Sequence, residues 1–238
     1  MSWLARLEVD AETARAEGIW DNYVWHKRLW EDCIPKDPDA GRDFLSRIDQ
    51  MEELYRLWIL AKRKPVRPRW CLPENFSVKE IALSFLRYRY YAFDLRANPV
   101  KTVARYGPDG KKLLRPDGRL RQGKRIPLVK EDELRDWLVK KARVRCRAED
   151  SGGILVDVPG GFRILEEKPL EIRPMAEVYF RKQNKKSNIE EAAYHGGVQF
   201  RGTLEVTDCE RFIETYQSGI GSAKGFGFGL LLLAPIKL

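Results

Sequence analysis

GGVQFRGTLEVTDCERFIETYQSGIGSAKGFGFGLLLLAPI, residues 196–236, carries the clearest secondary-structure signals in the chain. Residues 196–208 predict a strand, residues 208–219 a helix, and the apolar run at 226–236 a final strand. Five glycines lie between the end of this helix and the last strand: Gly219, Gly221, Gly225, Gly227 and Gly229. The segment therefore predicts a β-α-β unit whose second connection is a glycine-rich loop.

Similar elements precede this unit along the chain. The predicted elements are a strand at 3–9, a helix that begins near Asp21 and ends before Pro35, strands at 44–49 and 54–62, a short helix at 77–86, a long strand at 87–104 and a surface helix at 130–144. Both halves thus follow a β-α-β-β-α-β order in outline. We predict an α+β fold of two tandem ferredoxin-like (RRM-like) domains, an architecture that RNA-binding modules often use.

Residues 107–125, GPDGKKLLRPDGRLRQGKR, separate the two halves. This segment contains two Pro-Asp-Gly turns and almost no apolar periodicity, which is typical of a connection between domains. The predicted division is an N-terminal domain over 1–106, a basic connector over 107–125 and a C-terminal domain over 126–238.

The charge balance indicates a polyanionic partner. The 238 residues include 44 Lys and Arg against 35 Asp and Glu, so the formal net charge is +9. Basic residues gather around the connector, among them Lys101, Lys124 and Arg125, and at a predicted hairpin tip with Arg181, Lys182, Lys185 and Lys186. Both groups can follow a phosphate backbone, although charge runs of this kind also occur as solvated loops.

Neither export nor a metal scaffold is indicated. The four cysteines show no spacing for a zinc site or a disulfide framework. The apolar run at 230–236 is far too short to span a bilayer. We expect a soluble, cytoplasmic protein without a metal, a membrane partner or a small-molecule cofactor.

His26 is the stronger of two histidine candidates for proton transfer; the other, His195, is predicted to lie in a turn. On the first predicted helix, Tyr23 lies one turn before His26, and Lys27 stands beside it. A phosphate held there meets proton-transfer and cationic groups together, as cleavage of RNA by its own 2′-hydroxyl requires. The alternative is that the aromatic residues of this helix simply pack, with His26 at the boundary.

The glycine-rich segment 219–229 also has two interpretations. Glycine permits positive φ and close approach by a ligand, and successive N–H groups can hold an anion with help from Lys224. The alternative is a glycine-rich turn followed by a bulged strand. The segment runs from helix to strand and does not match GxxxxGK[ST], so a nucleoside-triphosphate site is not indicated.

Several segments resemble one family, the CasE proteins, which are the endoribonucleases that mature CRISPR precursor RNA in type I-E systems. The similar segments, in the same order, are YVWHKRLW (23–30), DPDAGRDFLSRID (37–49), FDLRANPVKT (93–102), GKRIPL (123–128), VQFRGTLEV (198–206) and SGIGSAKGFGFGLLLLAP (218–235). Residues 144–195 match only loosely, and the long connector departs from the family pattern.

The resemblance implies a metal-independent endoribonuclease that binds the repeat hairpin and cuts at its 3′ base, leaving a 2′,3′-cyclic phosphate and a 5′-hydroxyl. Members keep the product, crRNA, and deliver it to the Cascade complex, so RNA and other Cas proteins are the expected partners. His26 and Tyr23 fall on the family's catalytic positions, and Lys27 or Lys224 is expected to stabilise charge. The expected RNA-binding residues are Gly219, Gly221, Lys224, Gly225, Gly227, Gly229, Arg96, Lys101, Lys124, Arg125, Arg181, Lys182, Lys185 and Lys186. A rival hypothesis is a non-catalytic subunit that binds an RNA hairpin.

Overall fold

The computed structural model describes residues 2–41, 43–114, 118–121, 123–147, 155–175, 178–183 and 190–237. The strands are β1 Ser2–Asp10, β2 Phe44–Gln50, β3 Leu54–Ala61, β4 Phe76–Ile81, β5 Tyr90–Ala97, β6 Val100–Val103, β7 Lys124–Pro127, β8 Arg143–Arg147, β9 Leu155–Pro159, β10 Phe162–Ile164, β11 Glu171–Pro174, β12 Val178–Gln183, β13 Glu190–His195, β14 Val198–Val206 and β15 Leu231–Pro235. The helices are α1 Ala11–Ala16, α2 Asn22–Asp32, α3 Glu131–Lys141 and α4 Cys209–Ser218. Three 3-10 helices span Pro73–Asn75, Leu83–Arg87 and Lys224–Phe226.

The first sheet is antiparallel, with the strand order β2-β3-β1-β4. Successive side chains of β1 point to opposite faces, and Ala5, Leu7 and Val9 are buried on one of them. Trp25 and Leu29 of α2 belong to the same buried cluster, so α2 covers this face of the sheet. The amphipathic spacing of α2 thus fixes which side of the helix meets the strands.

The second sheet repeats the order of the first. Its path is β10-β14-β5-β15, and β11 also pairs with β14. If β5, β10, β14 and β15 are counted as strands 1 to 4 of the second unit, both sheets have the order 2-3-1-4. The helix after the first strand is α2 in the first unit and α3 in the second, and α4 follows the third strand of the second unit. The predicted α+β fold with two ferredoxin-like units is confirmed.

Two predicted elements of the first half are wrong. Residues 77–86, predicted as a helix, form most of strand β4 and most of a 3-10 helix, because this segment pairs along β1 with Ala5 opposite Val78. The first unit therefore has no α-helix between β3 and its last strand, β4. The long strand predicted at 87–104 is broken at Asn98 and Pro99 into β5 and β6, which belong to different sheets.

Strand β5 pairs with β14 and β15 at the centre of the second sheet. The chain therefore crosses from one sheet to the other before residue 90, inside the range 1–106 that was predicted as one domain. The division at 106 and 125 stays a prediction. The connector itself contains turns and the start of β7. Strand β7 pairs with β6, the strand that follows β5, and the two form a separate ribbon.

A buried ionic network joins the two sheets. Arg47 of β2 is 3% exposed, and its guanidinium donates to both carboxylate oxygens of Asp94 on β5 at 2.7 and 3.2 Å. It also donates to Asp49 at 2.8 Å. Burial raises the pKa of the Asp94 carboxyl, but the hydrogen bonds from Arg47 and two further donors more than offset this and hold the pKa below its ordinary value.

Within the described ranges, no helix is both long and apolar enough to cross a membrane.

We expect Arg47→Met to lower the free energy of unfolding by about 1.5–3 kcal/mol, because the half-buried Asp94 carboxylate loses its main partner and keeps only Gln199 and Arg201. The matched control is Arg56→Met, which removes a more exposed ion pair, Arg56–Glu8 at 2.8 Å, and costs under about 1 kcal/mol. Urea denaturation measures both. Equal losses in the two variants would show that the network does not join the sheets as described.

The loss in Arg47→Met also depends on pH. A carboxyl whose pKa is depressed by folding contributes stability that is present above its unfolded pKa of about 3.9 and is lost as pH falls through the folded value. The difference between wild type and Arg47→Met is therefore largest near neutral pH and narrows below about pH 4. A difference that is constant from pH 7 to pH 3 would contradict the assignment to Asp94.

Candidate active site

Helix α2 holds the histidine of the site. Asp21 caps the helix by accepting a hydrogen bond from the Val24 N–H at 2.7 Å. His26 lies one turn further on and is only 6% exposed. Its imidazole stacks on the ring of Phe44 from β2, with centroids 4.7 Å apart and planes 14° apart. The ring of Trp30 continues this stack on Phe44 at 6.0 Å.

The two other residues predicted for catalysis lie on the more exposed side of α2. Tyr23 is 41% exposed, and its ring centroid is 6.0 Å from that of Phe226 in the glycine-rich loop. Lys27 is exposed, with its Nζ atom 4.0 Å from a carboxylate oxygen of Glu31 one turn along the helix. The helix therefore brings Tyr23 and His26 together, with Lys27 beside them toward solvent.

The glycine-rich loop lies directly against this helix. The side-chain amide of Asn22 donates to the carbonyl oxygen of Phe226 at 3.1 Å. A Cβ atom placed on Gly225 would lie 3.5 Å from Nε2 of His26. The sequence placed the loop in the second domain and the histidine in the first, and the structure brings them into one site.

The loop has a fixed shape because its two ends pair. Ile220 donates its N–H to the carbonyl of Gly229 at 2.9 Å. Gly219 ends α4 with φ +75°, and a Cβ there would lie 2.7 Å from Cδ1 of Leu45, so glycine is required on both counts. Gly221 faces the ring of Trp137, and Gly227 faces Ile48.

Two residues predicted to bind RNA are engaged by protein groups. Arg96 donates to the carbonyl of Ile48 at 2.7 Å and lies 2.6 Å from Asp49, and burial lowers the pKa of its guanidinium. Lys224 donates to the carbonyl of Ser218 at the end of α4, and burial lowers the pKa of its ammonium. Their role in RNA binding stays a prediction; in this structure they hold the loop.

Arg96 also anchors the loop through its backbone. Its carbonyl accepts the N–H of Gly229 at 2.7 Å. The side chain of the same residue donates to the carbonyl of Ile48 on β2, the residue that follows Arg47. One residue of the second sheet therefore ties the glycine-rich loop to the first sheet.

Five of the remaining predicted RNA-binding residues lie on the β6–β7 ribbon or on strand β12. Lys101, Lys124 and Arg125 are exposed on the β6–β7 ribbon, where Lys101 pairs with Glu133 at 2.8 Å. The strand that carries Arg181 and Lys182, β12, lies beside α2. Lys185 and Lys186 lie outside the described residues.

The sequence prediction missed the residues that hold the site together. Asn22, Phe44 and Phe226 stand in segments whose local patterns predict a helix, a strand and a glycine-rich loop. The residues that they contact lie in other parts of the chain. Of these three residues, only Asn22 shows a hint of its role in the sequence, because a polar side chain in the first turn of the helix is able to donate a hydrogen bond. Across the described side chains, His, Cys, Asp and Glu do not gather in a group of three or more that could hold a metal ion.

These features define a protein of two ferredoxin-like units in which an imidazole from one unit and a glycine-rich loop from the other share one site. The family model described as CRISPR associated protein matches residues 2–235, and the chain therefore belongs to this family, among its CasE-type members.

Two curated relatives match nearly the whole chain. It is 30% identical over 216 residues to the CRISPR system Cascade subunit CasE of Escherichia coli K12, and the match covers 91% of this chain and 93% of that protein. It is 28% identical over 244 residues to the CRISPR-associated endoribonuclease Cse3 of Thermus thermophilus, with 98% and 100% covered.

Solved structures show the same fold. CRISPR endoribonuclease Cse3 bound to 19 nt RNA is 23% identical with a TM-score of 0.67, and the match covers 98% of this chain and 100% of that one. Cas6e of Escherichia coli K-12 is 24% identical with a TM-score of 0.63, with 99% and 100% covered.

We expect Gly219→Ala to destabilise the protein by about 1–3 kcal/mol, because a side chain there is strained and collides with Leu45. Gly110→Ala is the matched control: Gly110 has a similar φ of +72°, but nothing lies within 4 Å of its Cβ position. Free energies of unfolding in urea compare the two. If both variants lose the same stability, backbone strain alone explains the effect, and the close packing of the loop on β2 is refuted.

Proposed function

We propose that this chain is a metal-independent endoribonuclease that binds the repeat hairpin of precursor CRISPR RNA and cuts at the base of its 3′ side. The close approach of Gly225 to the imidazole of His26 carries the proposal. It places the backbone of the glycine-rich loop, whose N–H groups are able to hold a phosphate, beside a group that is able to transfer a proton. The name of the Thermus thermophilus relative and the RNA-bound Cse3 structure support it.

The reaction needs no group beyond the RNA and this chain. The ribose 2′-oxygen attacks the adjacent phosphorus while a base takes the 2′-hydroxyl proton. The bond from phosphorus to the 5′-oxygen breaks, and an acid gives that oxygen a proton. The products are a 2′,3′-cyclic phosphate and a 5′-hydroxyl. His26 fills one of the two proton-transfer roles, and Tyr23 assists proton transfer or positions the ribose.

The surroundings of His26 restrict how RNA meets it. Phe44 covers one face of the imidazole, and 6% of the residue is exposed. Substrate therefore reaches the ring at the edge beside Gly225, where the missing side chain leaves room. The stack on Phe44 fixes the ring plane, so the nitrogen that transfers the proton is held in one direction.

Negative charge on the phosphate is stabilised by nearby cations and backbone. Lys27 is exposed on the turn that follows Tyr23 and is free to turn toward a bound phosphate. Lys224 is held on the end of α4, so its charge acts from within the loop. Gly221, Gly225 and the neighbouring loop backbone offer N–H groups to the equatorial oxygens.

The wider surface binds the hairpin through its phosphates. The β6–β7 ribbon, which follows β5 in the chain, carries exposed basic residues, and the strand β12, which contains Arg181 and Lys182, lies beside the catalytic helix. These contacts position the backbone of the RNA and make binding weaker at higher salt. The chain then keeps the cut crRNA and, in the cytoplasm, joins it with other Cas proteins in Cascade.

One observation favours a second candidate function, a non-catalytic subunit that binds the hairpin. His26 is nearly buried, and its packing on Phe44 is also what a structural histidine would show. Cleavage measurements separate the two functions.

We expect the wild-type chain to cut its repeat hairpin in the presence of EDTA, and His26→Ala to cut about 10²–10⁴-fold more slowly because proton transfer is lost. The affinity for the RNA stays unchanged in the variant. A hairpin with a single 2′-deoxyribose just upstream of the scissile phosphate is bound but not cut. His195→Ala, at the second histidine, serves as the matched control and retains cleavage.

Two results would refute this mechanism. Cutting of the deoxy substrate would exclude attack by the 2′-hydroxyl. A wild-type chain that binds its repeat tightly and leaves it intact would establish the binding subunit instead.

A further inference from the structure

Trp20 is the one exposed tryptophan of the chain. All seven tryptophans lie in the described residues, and the other six are buried or half-buried. Trp20 is 78% exposed, immediately before the cap of the helix that carries His26. A large aromatic ring that stays in water next to a reaction site calls for a binding explanation.

The backbone that carries this ring is held by its neighbours. Ile19 is buried, and its N–H donates to the carbonyl of Ala14 at 2.9 Å. On the other side, Asp21 is locked as the cap of α2. The edge of the indole lies over Gly18, whose Cβ position is 3.4 Å from Cζ3 of Trp20. The backbone is therefore held on both sides while the ring stands out into solvent.

Helix capping does not account for the ring. A hydrophobic residue just before a cap commonly packs against the fourth helical residue, which here is Trp25. Trp25 instead packs against Tyr55 and Trp70, with ring centroids 5.4 and 5.8 Å away, and is buried. With 78% of Trp20 in solvent, the ring adds little to the folded core.

We propose that Trp20 is a substrate-positioning residue that stacks on an unpaired base of the RNA next to the scissile phosphate. The inference rests on the proposed function. Tyr23 and His26 follow Trp20 by three and six residues, so the ring lies at the N-terminal end of the helix that carries both site residues. Unpaired bases offer the open faces that aromatic side chains stack on, whereas paired bases in a stem do not.

An RNA ligand fits this surface better than a protein does. Ile19 and Trp25, apolar neighbours of Trp20 in the chain, are buried, and the one exposed ring nearby in the sequence, Tyr23, belongs to the proposed reaction site, so the surface is not a broad apolar patch of the kind that protein interfaces use. A single exposed ring at the start of the site helix, in a chain of net charge +9, is instead what a nucleobase and its phosphate need.

The test measures the affinity of two RNAs made non-cleavable by the single 2′-deoxyribose. One is the stem-loop with unpaired nucleotides on both sides of the stem, and the other is the blunt stem-loop. We expect Trp20→Ala to weaken binding of the flanked RNA on the order of 10-fold to 100-fold and to leave the blunt RNA unaffected. Trp20→Phe recovers most of the affinity, because its ring still stacks.

Val129→Ala is the matched control, since Val129 is 79% exposed, as Trp20 is, and has no ring that could stack on a base. Binding of the flanked RNA also quenches tryptophan fluorescence in wild type, and this quenching is reduced in Trp20→Ala. Unchanged affinity for the flanked RNA, as expected if Trp20 contacts a protein, or an equal loss for both RNAs, would overturn the proposal.

The two proposals fail separately. A wild-type chain that cuts, together with a Trp20→Ala variant that binds like wild type, removes only the stacking role. A wild-type chain that binds but does not cut removes the catalytic function, whatever Trp20 does.

Discussion

Arg47 and Asp94 form the contact on which the candidate site depends. Arg47 is buried and Asp94 half-buried between the first and second sheets, where the guanidinium alone would be costly, so the two sheets are favoured in one relative position. Beside it, Arg96 binds the carbonyl of Ile48 with its side chain and the N–H of Gly229 with its backbone. The position of the glycine-rich loop on α2 follows from these bonds.

The site consequently belongs to neither unit alone. The first unit supplies the imidazole and its stacking partner Phe44, and the second supplies the loop that lies over the edge of that imidazole. Asn22 closes the contact from the helix side. Because the groups come from opposite ends of the chain, the site forms only when both units are folded and docked, which couples the proposed cleavage to the integrity of the whole fold.

Local patterns in the sequence predicted much of this and missed the rest for a physical reason. The helix at His26 and the glycine-rich loop were predicted because helical spacing and glycine content are local properties. Strand β4 was predicted as a helix because its alternation of apolar and polar residues breaks at Glu80, and its pairing with β1 is not visible in the sequence. Arg96 and Lys224 were predicted as ligands of RNA because charge is visible in a sequence and its internal partner is not. The bond from Asn22 to Phe226 spans 204 residues, a separation that no local pattern reports.

The most direct test of the composite site is a nuclear Overhauser measurement on protein labelled at the histidine rings and glycine α-carbons. The chain has two histidines, so the ring signals of His26 are readily assigned. The structure predicts cross-peaks from the His26 ring both to Phe44, on which it stacks, and to the α-protons of Gly225. Cross-peaks to Phe44 without any to Gly225 would contradict the account, because the loop of the second unit would then lie away from the imidazole of the first.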